Sequence, residues 1–294
     1  MKPSHLLAAI GVVAIWGGNF VVIKLGLDEL PPLLLCALRF LFAAVPAVFF
    51  VKRPDVPLRS VLAYGLVMFG LQFAFLFGGM AFGISAGLAS LALQLQSFLT
   101  IALAAWLLGD RPSGFQVGGA LLALSGIGVV AANLGGDVSA QGLAAVILAA
   151  LAWACGNLIA KRLGKVNMFA LVVWASLVVP LPMFGLSLLL EGPARIAGSV
   201  AGMGWSAVAS IAYLVYPTTL LGFAVWNRLL NLYPVASVAP LTLLVPVFGM
   251  ASSVMVLQEN LQTWKVAAFL FVILGLCVNQ FGTRLYAGIR GARI

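Results

Sequence analysis

The sequence has few of the side chains on which enzyme active sites and metal centres depend. Only seven of its 294 residues are Asp or Glu, three are cysteine and one is histidine, His5. No HExxH motif, phosphate-binding loop or paired carboxylate is present, and a single histidine argues against a Ser-His-Asp arrangement. Cys36, Cys155 and Cys277 show neither disulfide nor metal-site spacing. The sequence therefore predicts that the chain is not an enzyme and that it carries no metal and no other cofactor.

Charged residues are scarce enough to place most of the chain in a lipid bilayer. Hydrophobic residues make up 63% of the sequence and charged residues 8%, and the mean hydropathy is +1.16. Short charged clusters separate ten apolar runs, each about as long as the roughly 20 residues that cross a 30 Å hydrocarbon core. The predicted spans are 5–25, 32–51, 61–81, 85–108, 114–132, 140–161, 168–190, 203–226, 235–257 and 264–285. The predicted fold class is an all-α integral membrane protein with ten transmembrane helices.

A five-helix pattern occurs twice in the chain. WGGNFVVIKLG near residue 19 returns as WACGNLIAKRLG near residue 157, and segment 107–129 returns at 256–278, which pairs Asp110 with Glu259. The spacing grows from 138 to 149, so the second copy has 11 extra residues, which we expect within 191–204. An odd number of helices per copy predicts inverted repeats, 1–134 (helices 1–5) and 135–294 (helices 6–10). Substrate sites of transporters commonly form between such repeats, and this geometry suits alternating access.

Lys and Arg residues are distributed unequally between the two sides of the predicted bundle. Loops on the side of the amino terminus hold twelve of them, and the opposite side holds three, Lys24, Arg195 and Lys265. The positive-inside rule then places both termini in the cytoplasm. Topology explains the net charge of +9, so no nucleic-acid partner is predicted.

All seven acidic residues lie at or beyond predicted helix ends, and His5 lies at the cytoplasmic mouth. A proton-driven pump normally keeps an ionisable acid or histidine in mid-membrane. Because none is available here, the sequence favours facilitated transport over proton pumping.

Several segments of both halves resemble one transporter family. WGGNFVVIKLGL, PPLLLCALRFLFAAVPAVFFVKRP, FGISAGLASLALQLQSFLTIALAAWLLGDR, WACGN and VAPLTLLVPVFGM are similar to the drug/metabolite transporter superfamily, in its ten-helix branch with two EamA domains. Within that branch the sequence is most similar to bacterial amino-acid exporters of the cysteine/O-acetylserine and YddG types. The resemblance implies a cell inner-membrane location, a monomer, and a central cavity lined by helices 1, 3, 4, 6, 8 and 9, with helices 5 and 10 at the periphery.

Polar and aromatic residues within the spans form the candidate substrate site. Uncharged amides in lipid would leave donors and acceptors unpaired, so they are expected to face the bundle interior. Each Trp–Asn pair of the two repeats lies on one helical face and could bind a zwitterion, or the two asparagines could tie helices together. On helix 4, Ser90, Gln94 and Ser97 form a polar stripe, and Gln96 points away from it. The predicted substrate-binding residues are Trp16, Asn19, Gln72, Phe73, Phe77, Ser90, Gln94, Trp153, Asn157 and Tyr213.

Arg39 is the one basic residue well inside a predicted span, about 10 Å below its external boundary at 1.5 Å per residue. A charge in the membrane costs at least about 2.5–3.5 kcal/mol, so this side chain is not expected to face lipid. It could attract a substrate carboxylate, or it could snorkel outward or bond carbonyls near the helix start. The second interpretation is favoured, because the stretch ALRF is common to the whole superfamily.

Three prolines, Pro217, Pro240 and Pro246, interrupt predicted helices 8 and 9 and are candidate gating positions. Together the patterns predict an exporter of amino acids and related small metabolites. One alternative is a carrier of sugar phosphates or nucleotide-linked sugars, which is weakened by the lack of a buried Lys and Arg cluster. The other is a membrane scaffold that transports nothing.

Overall fold

A computed structural model describes the backbone of residues 1–291 and the side chains of residues 1–234 and 237–283. Within this part of the chain, ten helices are long and apolar enough to cross a membrane. They are α1 (Pro3–Leu27), α2 (Pro32–Phe49), α3 (Leu58–Ala81), α4 (Ala86–Leu108), α5 (Gly114–Ala132), α6 (Ala140–Leu163), α7 (Met168–Leu190), α8 (Trp205–Leu232), α9 (Ala239–Leu257) and α10 (Thr263–Thr283). The ten predicted spans are confirmed, with ends that shift by a few residues.

Local sequence signals set the helix ends. Pro32 occupies the first turn of α2, where the N–H that proline lacks would have no helical partner. Ser113 caps α5 reciprocally with Gln116: the Ser113 Oγ accepts from the Gln116 N–H at 3.3 Å, and the Gln116 Oε1 accepts from the Ser113 N–H at 2.8 Å. Gly109, at φ 73°, ends α4 in a left-handed conformation.

Six helices depart from regular α geometry in their interior or at one end. A 3₁₀ segment, Ala47–Phe49, follows the α-helical part of α2, and α7 is not helical between Ser176 and Pro180. A π-helical segment occupies Gly65–Leu71 of α3 and another occupies Leu214–Leu221 of α8. The chain is not helical between Ala92 and Leu95 of α4, and α9 begins with a 3₁₀ segment, Ala239–Leu244. In a membrane, such irregular backbone is tolerated where it is buried in protein or lines a cavity.

The two π segments occupy equivalent helices of the two predicted repeats, the third and the eighth. A short helix, Pro193–Ala201, joins α7 to α8 and falls within the stretch where the extra residues of the second copy are expected. Both features agree with a duplicated unit, and the inverted arrangement of the repeats stays a prediction.

Helices α5 and α10 approach each other through glycines. A Cβ atom added at Gly119 would lie 2.5 Å from the Gly275 carbonyl oxygen, and one added at Gly275 would lie 2.5 Å from the Gly119 carbonyl oxygen. Both distances are well below van der Waals contact, so only glycine allows this approach.

Gly119→Leu is expected to destabilise the protein, because a side chain there must push α10 away. Overpacking typically costs about 1–3 kcal/mol, and a lower midpoint of thermal unfolding in detergent would report it. Gly118→Leu is the matched control, since a Cβ atom at Gly118 meets nothing within 4 Å. Equal midpoints for the two variants would contradict the close packing of α5 and α10.

Candidate functional site

A cavity of about 190 Å³ lies at the centre of the helix bundle. Residues of α1, α2, α3, α4, α6, α8 and α9 line it, and α5 and α10 contribute none of the lining. All six helices that the resemblance implied contribute to this lining, and α2 contributes Arg39 in addition. The lining consists of Trp16, Asn19, Phe20, Arg39, Gln72, Phe73, Leu76, Ser90, Leu93, Gln94, Gln96, Trp153, Thr218, Phe223, Thr242 and Val245.

Most of the predicted binding residues lie in this lining. They are Trp16, Asn19, Gln72, Phe73, Ser90, Gln94 and Trp153. None of the seven acidic side chains lines the cavity, and Arg39 is the one charged side chain that the described residues contribute to the lining. The cavity thus combines amides, hydroxyls and aromatic rings with a single positive charge.

Asn157 lies outside the lining and joins α6 to α4. Its Nδ2 donates to the Gln96 Oε1 at 3.2 Å and to the Thr100 Oγ1 at 3.1 Å. The two acceptors lie one helical turn apart on α4. Asn157 therefore supports the cavity wall through Gln96, which is itself a lining residue.

Phe77 and Tyr213 also lie behind the lining. Phe77 is fully buried and packs edge-on against Phe73, with ring centroids 5.6 Å apart. The Tyr213 hydroxyl donates to the Ile15 carbonyl oxygen at 3.0 Å and so links α8 to α1. Phe77 thus packs against a lining residue, and Tyr213 bonds to the residue that precedes Trp16 of the lining.

The polar stripe expected along α4 is not continuous. Where the α-helix is interrupted, the Gln94 N–H donates to the Leu91 carbonyl and the Gln96 N–H to the Leu93 carbonyl, both at 3.1 Å. These i to i−3 bonds tighten the turn and rotate the residues that follow it. Gln96 therefore lines the cavity, and Ser97, which accepts from the Gln96 Nε2 at 3.0 Å, does not. Gln96, expected to point away from the stripe, thus lies in the lining with Ser90 and Gln94 and also bonds to Asn157.

Sequence reasoning missed Thr218 and Phe223 on α8. The Thr218 carbonyl oxygen accepts a hydrogen bond from the Trp16 Nε1 at 3.0 Å, and the Trp16 ring lies 5.6 Å from Phe223 and 5.1 Å from Trp226, measured between ring centroids. The sequence signal that could have indicated these residues is Pro217, which lies inside a span and leaves backbone groups near it without helical partners. The contact joins α1 to α8 across the cavity.

Arg39 is 2% exposed and does not snorkel to the surface. Within the described part of the chain, its guanidinium donates one hydrogen bond, from Nη2 to the Thr219 Oγ1 at 3.2 Å, and lies 4.1 Å from the Phe73 ring centroid. The interpretation of Arg39 that the sequence favoured is thus wrong: the side chain neither reaches outward nor bonds carbonyls near the helix start. The interior of the bundle holds this charge because Thr219 and Phe73 both face it.

Three glutamates cap helix starts of the opposite predicted repeat at one end of the bundle. Their carboxylates accept from backbone N–H groups at 2.7–3.3 Å: Glu29 from Gly204, Glu191 from Leu33 and Leu34, and Glu259 from Ala86 and Gly87. A carboxylate at a helix start is favourable because it meets unpaired N–H groups and the positive end of the helix dipole. At the other end, Asp110, the sequence equivalent of Glu259, forms an exposed pair with Lys161 at 2.6 Å.

These features define the class of the molecule: a multi-pass membrane protein built around a solute-sized cavity. The chain belongs to the EamA-like transporter family, whose profile matches residues 3–132 and 140–280. It is 44% identical to a probable amino-acid metabolite efflux pump of Salmonella typhimurium and 42% identical to a protein of the same description from Escherichia coli K12. Each alignment covers 97% of this chain and 97% of the relative.

The fold also has a counterpart among solved structures. A protein crystal structure matches with a TM-score of 0.64 and 19% sequence identity, and the match covers 96% of this chain and 98% of that one. At this identity the likeness concerns the fold alone.

Proposed function

We propose that this transporter exports amino acids and related small metabolites from the cytoplasm across the inner membrane. The central cavity carries the proposal, since its lining alternates uncharged polar groups with aromatic rings and comes from both halves of the chain. The cavity volume of about 190 Å³ is smaller than the roughly 300–1,000 Å³ of pockets that bind drug-sized ligands. The cavity therefore suits a smaller ligand. The names of the two similar bacterial proteins point to the same substrate class.

The proposed mechanism is alternating access between two domains, 1–134 and 135–294, in a monomer. The irregular segments of α3, α4, α8 and α9 support it, because interrupted helices bend with less loss of backbone bonding than regular ones. Pro240 lies in the 3₁₀ start of α9, Pro246 lies two residues after it, and Pro217 lies in the π segment of α8, so these remain the candidate gating positions. The excess of Lys and Arg in the loops beside the amino terminus supports cytoplasmic termini.

Transport is proposed to be facilitated rather than proton-pumped, and the chain is proposed to have no enzymatic activity. No carboxylate or histidine lines the cavity, so its described side chains offer no group of the kind that loads and releases protons in mid-membrane. A sugar-phosphate carrier is less well supported, because Arg39 is the single cation in the lining and phosphate sites usually combine several.

Counterflow of labelled threonine, methionine and phenylalanine into proteoliposomes tests this proposal. We expect saturable uptake of at least one of them, at equal rates with and without an imposed pH gradient. Strong dependence on the gradient would contradict facilitated transport. Uptake of none of the three, in protein that keeps its folded elution profile, would contradict the substrate class.

A further inference from the structure

The cavity holds a buried positive charge that no protein carboxylate neutralises. The Nη2 of Arg39 donates to Thr219, but the Nε and Nη1 atoms find no hydrogen-bond acceptor among the described residues. All seven acidic side chains lie outside the lining. An unpaired buried charge is costly unless a partner of opposite charge joins it.

The surrounding structure fixes the guanidinium in place. The Thr219 hydroxyl donates to the Leu214 carbonyl oxygen at 2.8 Å, within the π segment of α8, and this turns its lone pairs toward Arg39. The Phe73 ring lies 4.1 Å and the Phe40 ring 5.4 Å from the guanidinium carbon. Such cation–π contacts stabilise the charge without using its remaining N–H groups.

Other polar atoms of the same lining also lack hydrogen-bond partners among the residues that the structure describes. They are the Gln72 Nε2, the Asn19 Oδ1 and the Thr218 Oγ1, on side chains that are 1%, 6% and 4% exposed. Buried polar groups are nearly always paired in folded proteins, so a cluster of unpaired ones around a cavity indicates a ligand site. The amide of Gln72 adds an N–H donor to those of Arg39.

The cavity provides stronger binding partners for the carboxylate of an amino acid than for its ammonium group. A carboxylate would find the guanidinium and the Gln72 amide, which form strong, charge-assisted hydrogen bonds. An ammonium group would find only uncharged acceptors, among them the Asn19 Oδ1 and the Thr218 Oγ1, and the aromatic faces of Trp16 and Trp153. The same Arg39 charge repels it.

We propose that the site recognises the carboxylate of its ligand through Arg39 and does not require the ammonium group, so that 2-hydroxy acids are ligands as well as amino acids. A 2-hydroxy acid has nearly the size of the parent amino acid, brings one negative charge to the one positive charge, and replaces the ammonium by a neutral hydroxyl. That hydroxyl suits the uncharged acceptors Asn19 and Thr218. The inference rests on the proposed transport function and names the ligand class of that same cavity.

Ligand binding to the purified protein tests the proposal by intrinsic tryptophan fluorescence, because Trp16 and Trp153 line the cavity. The probes are threonine, methionine and phenylalanine, each beside its 2-hydroxy analogue and its α-amide. For each side chain that binds, we expect the hydroxy acid to bind at least as tightly as the amino acid. The amide, which keeps the ammonium but loses the carboxylate, should bind about tenfold more weakly or worse, about 1.4 kcal/mol.

Variants of Arg39 separate a ligand-binding role from a structural one. In Arg39→Gln, the affinity for the free acids should fall to that for the amides, while the affinity for the amides stays within about twofold. Arg39→Lys, which keeps a point charge, should retain part of the preference for acids. Arg195→Gln removes an exposed charge from the short helix Pro193–Ala201 and should change neither affinity.

Amides that bind as tightly as acids, or hydroxy acids that fail where amino acids bind, would overturn the proposal. In the latter case counterflow of amino acids would persist, so the proposed function would survive. If no probe binds and no amino acid is transported, both the proposed function and this inference are wrong.

Discussion

Glu259→Ala is expected to open the cavity toward the side of the membrane on which the three glutamate caps lie. The Glu259 carboxylate accepts from the Ala86 N–H at 2.8 Å and from the Gly87 N–H at 3.3 Å, which ties the loop after α9 to the start of α4. Hydrogen bonds to charged groups contribute about 1.5–3 kcal/mol. Loss of these bonds should therefore shift the equilibrium roughly tenfold or more from the conformation in which this end is closed to the one in which it is open.

Thiol labelling measures this shift. Leu76→Cys places a reporter in the cavity lining, where Leu76 is 1% exposed, in a protein whose three native cysteines are replaced by alanine. A membrane-impermeant maleimide added from the side of the caps should react about tenfold faster when Glu259→Ala is also present. Asp28→Ala is the matched control, because its exposed pair with Lys24 at the same end contributes little. Equal labelling rates in both variants would show that the cap does not hold this end closed.

Gly249→Ala is expected to slow counterflow strongly, and Ser90→Gly is expected to restore part of the loss. A Cβ atom at Gly249 of α9 would lie 2.5 Å from the Ser90 Oγ and 2.6 Å from the Ser90 Cβ on α4. The hydroxyl can rotate away but the Cβ cannot, so the two helices must separate. Overpacking of this kind costs about 1–3 kcal/mol, which corresponds to roughly 5- to 150-fold in an equilibrium.

A double-mutant cycle isolates this contact. With Ser90→Gly present, the next atom that the new Cβ meets is the Gly17 carbonyl oxygen at 3.6 Å, an ordinary contact distance. The double variant should therefore transport faster than Gly249→Ala alone, even though glycine in a helix costs about 1 kcal/mol. Gly185→Ala, at an open position of α7, is the control for adding a methyl group. A Gly249→Ala protein with wild-type rates would contradict close packing of α4 and α9 in the transport cycle.

The sequence predicted the ten spans because the physics that defines them is local. A segment in lipid must bond its own backbone and must carry few charges, so hydropathy along the chain locates each helix. The same argument placed the acids at helix ends. It also selected Asn19, Gln72 and Gln94 as interior residues, because a polar side chain within a span has to face protein or a cavity.

The polarity of an interior side chain did not determine whether it lines the cavity or bonds to a neighbouring helix. Asn157 and Asn19 occupy equivalent places in the repeated sequence, yet Asn19 lines the cavity and Asn157 bonds to Gln96 and Thr100. Gln96 reaches the cavity because the α4 helix is interrupted before it, and Thr218 reaches it from a π segment. Such irregular turns rotate the following residues away from the positions that a 3.6-residue period assigns.

The sequence by itself determined the class of molecule, the number of helices, the absence of acids from the membrane interior and most of the polar residues of the cavity. Only the tertiary structure decided which groups meet. Glu259 and Ala86 are 173 residues apart in the chain, Glu191 and Leu33 are 158 apart, and Arg39 and Thr219 are 180 apart. Hydrogen bonds and charge compensation act over a few ångströms in space, so they depend on how the helices pack rather than on the order of residues along any one of them.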